Sequence, residues 1–156
     1  MQLVEQIHHT LIERRKTLAL AESCTGGALS AAFVRIPGAS QYLLGSLVVY
    51  SNEWKKIFLG VSPQTLEEKG AVSRETVEEM LRGLFRQTAA DYGIAISGVL
   101  GPTGGTAQTP VGTVFIGVGK RGESSQIEKI QVPSPRGQGI EFTVQKALES
   151  LFKLKI

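Results

Sequence analysis

Short apolar runs of strand character alternate with helical periodicity along almost the whole sequence, and few folds accept that alternation. Leu3, Val4, Ile7, Leu11 and Ile12 recur at helical spacing, which predicts an amphipathic helix over 2–15. Residues 17–22 form a short apolar strand. Ser23-Cys24-Thr25-Gly26-Gly27 then turns into a small-residue helix, 26–35, stopped by Pro37-Gly38. Residues 42–50 are β-rich and continuous, which suits a strand covered on both faces. Ser51-Asn52 opens a helix over 52–59, and Ser62-Pro63 opens another that Gly70 ends. Ser73 caps the longest periodic segment, 74–90, whose face is Val77, Met80, Leu81, Leu84, Phe85 and Thr88. A strand over 92–99, a Gly/Pro/Thr loop over 101–110, a strand pair over 111–119 and 125–132, and a helix over 138–153 complete the chain. The last helix should bury Ile140, Val144, Ala147, Leu148 and Leu151. Strands alternating with helices predict an α/β fold, a three-layer α/β/α sandwich with a mixed, mostly parallel sheet. The short turn at Lys120-Arg121-Gly122-Glu123 makes the last two strands antiparallel.

Composition narrows the class. The 156 residues suit one domain, taken as 1–156, large enough to bury a core without staples. Apolar residues make up 42% and charged residues 20%, so a disordered chain is excluded. The net charge of +3 is spread out: residues 1–78 carry eight charges of each sign, and 79–156 nine basic against six acidic. That is not the clustered basic face of a nucleic-acid binder. No apolar run approaches membrane-spanning length, and the first eleven residues lack a signal-peptide core. A single cysteine excludes an internal disulfide and a cysteine-based zinc cluster. A cytoplasmic enzyme or binding domain is the expectation, without nucleic acid, membrane, metal or cofactor. A homodimer is compatible with its size.

Chemistry concentrates at the first strand–helix junction, because ligands of α/β sheets bind at the carboxyl ends of strands. Free N–H groups at a helix start favour an oxyanion, so Ser23 there is either a nucleophile or a helix cap. Cys24 is a second nucleophile or a small buried filler. His8 and His9 are adjacent on the first helix and point in different directions, which gives a Ser-His triad no support. A neutral lysine is the other known activating base, and Lys55, just past the second strand, would lie beside the first junction if the strands are parallel neighbours. The alternative for Lys55 is a solvated surface cation. Tyr50 is either a core tyrosine or a hydroxyl beside that lysine. The glycines of Gly98-Val99-Leu100-Gly101-Pro102-Thr103-Gly104-Gly105 allow backbone to approach a ligand, or only make a turn-rich connection. Arg136, near a helix start, is either an anion ligand or a surface residue.

Taken together, Ala21-Glu22-Ser23-Cys24-Thr25-Gly26-Gly27, Tyr50-Ser51-Asn52-Glu53 with Lys55, Leu59-Gly60-Val61, Gly70-Ala71-Val72-Ser73, Ile96-Ser97-Gly98, Gly101-Pro102-Thr103-Gly104-Gly105 and Pro110-Val111-Gly112-Thr113-Val114 resemble the CinA C-terminal domain family. These seven segments occur in the family's order over residues 17–152. Stand-alone members of that family are PncC-type nicotinamide-nucleotide amidohydrolases. Many other members carry an extra N-terminal domain, which this sequence is expected to lack. The resemblance implies a fold similar to anticodon-binding domains. It also implies deamidation of nicotinamide mononucleotide, a pyridine nucleotide, to nicotinate mononucleotide and ammonia. On that likeness Ser23 is the nucleophile, Lys55 the base and Tyr50 its assistant. Thr25, Gly26, Gly27, Gly101, Gly104, Gly105 and Arg136 hold substrate. Ser134-Pro135 and Ile140 depart from the family's usual Gly-Asp and second arginine. The alternative is a non-catalytic nucleotide-binding or regulatory domain on the same pocket.

Overall fold

The structure is a computed structural model, and it describes residues 2–133 and 136–156. The elements run α1 (Leu3–Glu13), β1 (Leu18–Glu22), α2 (Ala28–Val34), a single 3₁₀ turn (Ala39–Gln41), β2 (Leu43–Val48), α3 (Asn52–Leu59), α4 (Pro63–Lys69), α5 (Arg74–Gln87), β3 (Tyr92–Gly98), β4 (Thr113–Lys120), β5 (Gln126–Gln131) and α6 (Arg136–Lys153). The five strands form one sheet in the order β2-β1-β3-β4-β5. β1 pairs parallel with β2 and β3, whereas β3–β4 and β4–β5 are antiparallel. Four of the five strands therefore point the same way. The α/β class and the mixed sheet are those expected from the sequence.

Alternation along the strands divides the core. Leu18, Leu20, Ile94, Ile96, Val114, Ile116 and Val118 face α1, α2 and α6, where Ile7, Leu11, Leu29, Phe33, Ala147, Leu148 and Leu151 bury against them. Ala19, Ala21 and Ala95 face the other way, onto Leu59 of α3 and Val77, Met80, Leu81 and Leu84 of α5. Small residues on that second face let α5 lie close to the sheet. A Cβ on Gly83 of α5 would stand 1.9 Å from the Leu59 carbonyl oxygen, so only glycine lets α5 approach the end of α3. The crossover from β1 to β2 thus runs over one face and that from β2 to β3 over the other.

Several sequence expectations shift. β2 is an edge strand with a half-exposed profile, not one covered on both faces. Residues 23–27 are not helical: Gly26 and Gly27 adopt positive φ, and α2 begins at Ala28. α5 ends at Gln87, three residues early, and α6 begins at Arg136, two residues before the expected start. Ile140 and Val144 are half-buried rather than buried. Ser51 and Ser73 cap α3 and α5 through the N–H groups of Trp54 and Thr76. Ser62 accepts no such bond, although Pro63 follows at the first helical position. Among the described residues no helix is long and apolar enough to cross a membrane.

Candidate active site

Parallel pairing aligns the carboxyl ends of β1, β2 and β3: Glu22 stands opposite Val48 on one side and Ile96 on the other. The segments leaving those ends meet. The Val49 N–H donates to the Glu22 carbonyl at 2.8 Å, and the Ser23 N–H to the Ile96 carbonyl at 3.1 Å. Ser23 is thereby fixed beside the exit of β2. α3 starts four residues beyond β2, and its inward face carries Lys55 and Leu59.

Lys55 is 1% exposed. Its Nζ stands 2.9 Å from Ser23 Oγ, 3.0 Å from the Val49 carbonyl oxygen and 3.5 Å from that of Tyr50. None of these partners is charged. Burial therefore lowers the ammonium pKa to about 8, with a small opposing contribution from Cys24. Two carbonyls hold two of the Nζ hydrogens, which turns the lone pair of the neutral amine toward the Ser23 hydroxyl.

Glu22, wholly buried, is held very differently. Its carboxylate accepts from Thr25 Oγ1 at 2.8 Å, the Leu29 and Ser30 N–H groups at 2.9 and 3.1 Å, and Ser46 Oγ at 2.8 Å. It caps the first turn of α2 and ties β1 to β2. The turn that carries Ser23 is thus braced from behind. The backbone N–H groups of Cys24 and Thr25 make no backbone hydrogen bond among the described residues.

Ser23, Cys24, Tyr50, Asn52, Lys55, Gly104 and Arg136 share the wall of one cleft of about 210 Å³ with Ala71, Val72 and residues 97–100. The Arg136 Nε donates to the Gly101 carbonyl at 2.6 Å, pinning the Gly/Pro/Thr loop to the start of α6, and its Nη1 lies 3.5 Å from the Tyr50 hydroxyl. Tyr50 is exposed, at the rim. Thr25 is buried with its hydroxyl engaged by Glu22, and it does not line the cleft. Gly26, Gly27, Gly101 and Gly105 also lie off the cleft wall; Gly26 and Gly27 form the turn that leads into α2. The Ser134-Pro135 departure lies outside the described residues, and Ile140 lines a separate groove between α2 and α6.

The other nucleophile and base fare worse. Burial pushes the Cys24 thiol up to about 12, which leaves no thiolate near neutrality. His8 packs against Tyr42, its Nδ1 3.2 Å from the phenol oxygen, while His9 is exposed; neither lines the cleft. Ser97 joins the cleft wall although the sequence does not mark it as a site residue. Its buried hydroxyl donates to the Ala71 carbonyl at 2.7 Å, fixing the 70–73 turn as the cleft's far wall. The signal was its place in Ile96-Ser97-Gly98 at the end of β3.

Fold and site together define a mixed-sheet α/β domain with a buried Ser-Lys pair at the carboxyl ends of its parallel strands. The family profile described as the CinA C-terminal domain matches residues 1–155. The chain is 52% identical over 117 residues to a CinA-like protein of Thermotoga sp. strain RQ2, covering 75% of this chain and 29% of that one. It is 39% identical over 150 residues to a CinA-like protein of Leptospira borgpetersenii, covering 96% and 36%. It thus spans about a third of the length of these curated relatives. Among solved structures, the competence/damage-inducible protein CihA of Agrobacterium tumefaciens superposes with a TM-score of 0.95 at 33% identity, covering 99% of this chain and 94% of that one. A competence or damage-inducible protein of Enterobacter asburiae gives 0.90 at 37% identity, covering 94% and 92%. The chain belongs to the CinA C-terminal domain family.

Proposed function

We propose that this chain is a Ser-Lys amidohydrolase that deamidates nicotinamide mononucleotide to nicotinate mononucleotide and ammonia. The observation that carries the reading is the 2.9 Å approach of a buried, uncompensated lysine to a buried serine hydroxyl. A structural lysine in such a place would have a carboxylate partner; one surrounded by neutral acceptors loses its proton near working pH.

Neutral Lys55 accepts the Ser23 proton as Oγ attacks the carboxamide carbon. The Cys24 N–H, on the cleft wall and without a backbone partner, is the donor offered to the developing oxyanion. The Lys55 ammonium then gives its proton to the leaving nitrogen as the C–N bond breaks, releasing ammonia and leaving a nicotinyl ester on Ser23. Water attacks that ester with Lys55 again as base, which frees the carboxylate and restores the serine hydroxyl. Arg136 and the Tyr50 hydroxyl, at the rim, suit the 5′-phosphate, because Nε bonds Gly101 while Nη1 stands beside the Tyr50 hydroxyl, so that both side chains can take an anion together.

The test is ammonia release from nicotinamide mononucleotide by purified protein, with the Ser23→Ala variant beside it. Release by the wild type and none by the variant supports the reading. Nucleotide binding, seen as a thermal shift, with no ammonia from the wild type would replace it with the non-catalytic nucleotide-binding module.

A further inference from the structure

Building on the amidohydrolase reading, we infer that the cleft takes a second class of substrate: 5′-phosphorylated ribosides of neutral, electron-poor azole carboxamides, whose amide it hydrolyses as it does that of a pyridinium nucleotide. Two places on the cleft wall recognise a chemical group. Ser23 and Lys55, 2.9 Å apart, take a carboxamide. Arg136 and the Tyr50 hydroxyl, 3.5 Å apart, suit a phosphate. The rest of the wall is uncharged. Ala71, Val72, Val99 and Leu100 are apolar, Asn52 and Ser97 are neutral, and the Cys24 thiol, pushed up to about 12, stays protonated.

A wall built to demand a pyridinium cation would offer it a carboxylate or the face of an aromatic ring. Among the described residues no carboxylate lines this cleft, and its one aromatic, Tyr50, stands at the rim beside Arg136. Glu22 directs its charge onto four donors and does not line the cleft. Lys55 senses the same lack: burial lowers its pKa, and no acid opposes that. Charge during the reaction then favours a neutral ring. Once Lys55 has taken the Ser23 proton, the cleft holds that ammonium and the Arg136 guanidinium. A pyridinium would add a third positive charge, balanced only by the oxyanion and the substrate's own phosphate. A neutral azole adds none. It lacks the pull of a cationic ring on the carboxamide carbon, but a nitrogen-rich azole partly restores it. A five-membered ring is also the smaller one, so a cleft of about 210 Å³ that admits the pyridine ring admits it. The steps balance as before. Ser23 Oγ bonds the carboxamide carbon, its proton passes through Lys55 to the leaving nitrogen, the C–N bond breaks, ammonia departs, and water releases the azole carboxylate.

Ammonia release by the full chain from the triazole-carboxamide ribonucleoside 5′-monophosphate, measured beside nicotinamide mononucleotide, tests this. The expected kcat/KM is within about a hundredfold of that for the pyridinium nucleotide, and Ser23→Ala should abolish it. The triazole riboside without its phosphate should be at least tenfold poorer than its nucleotide. Turnover of the pyridinium nucleotide with the triazole nucleotide more than a hundredfold slower would overturn the inference and leave the amidohydrolase reading standing. Triazole hydrolysis that survives Ser23→Ala, or a riboside cleaved within tenfold of its nucleotide, would overturn it too. Triazole turnover without pyridinium turnover would uphold the inference and replace the substrate of that reading. Release from neither would overturn both.

Discussion

Glu22 and Lys55 are both buried ionisable groups brought together at the carboxyl end of β1, yet they are held in opposite ways. The Glu22 carboxylate receives four donors from four residues, two of them backbone N–H groups at a helix start. The Lys55 ammonium finds only a hydroxyl and two carbonyls. A buried carboxylate with four hydrogen-bond donors braces the turn and the helix start. A buried ammonium with sparse neutral partners is poised to lose its proton, which is what a base needs. The contrast assigns stability to one side of the junction and chemistry to the other.

The strongest way to break that contrast is to remove the chemistry without the fold. Ser23→Ala and Lys55→Arg should each lower turnover by about 10³-fold or more. Arginine keeps the charge and most of the volume but never gives up its proton. A Lys55→Arg variant with near-normal ammonia release would show that the lysine is not the base. Glu22→Ala is the complementary change. It strips an acceptor from four donors, two of them fully buried, and should cost about 3 kcal/mol. At ~2–4 °C per kcal/mol for a chain of this size, melting should fall by roughly 6–12 °C. A Glu22→Ala protein that melts like wild type would remove the brace from the account.

The pH profile sharpens the same comparison. The Lys55 pKa is lowered to about 8, and the neutral form is the active one, so kcat/KM should rise with pH and level off above about 8. At pH 7 it should stand roughly tenfold below the plateau. A rate that falls on raising the pH from 7 to 9 would reverse the assigned role. The smallest effect belongs to Cys24. With its thiol pushed up to about 12, Cys24→Ala should leave turnover within about threefold, and thiol alkylation at pH 7 should be slow. Fast inactivation by a thiol reagent would place the nucleophile on the wrong residue.

The alternation of strands and helices was readable because periods of 2 and 3.6 survive in short segments such as 18–22 and 74–87. Edge and centre were not, since Leu43–Val48 is uncharged and β-rich like an inner strand, and only sheet order shows it at the rim. The meeting of Ser23 with Lys55 followed from supposing β1 and β2 to be parallel neighbours, which local pattern suggests but pairing decides. Thr25 misled for a physical reason. The resemblance assigns it to substrate, but its hydroxyl donates to the buried carboxylate three residues earlier, which only the folded turn shows. Ser97 escaped notice because a serine closing a strand has no periodic signature; its partner, Ala71, is 26 residues away.

Protonation of a single amine lies at the centre. Carbon-13 labelling of the lysine side chains, followed by NMR titration of the Cε signal that disappears in Lys55→Arg, reads it directly. An inflection near pH 8 is the expected result. One near the ordinary lysine value, above 10, would leave Ser23 without a base at neutral pH and contradict the account.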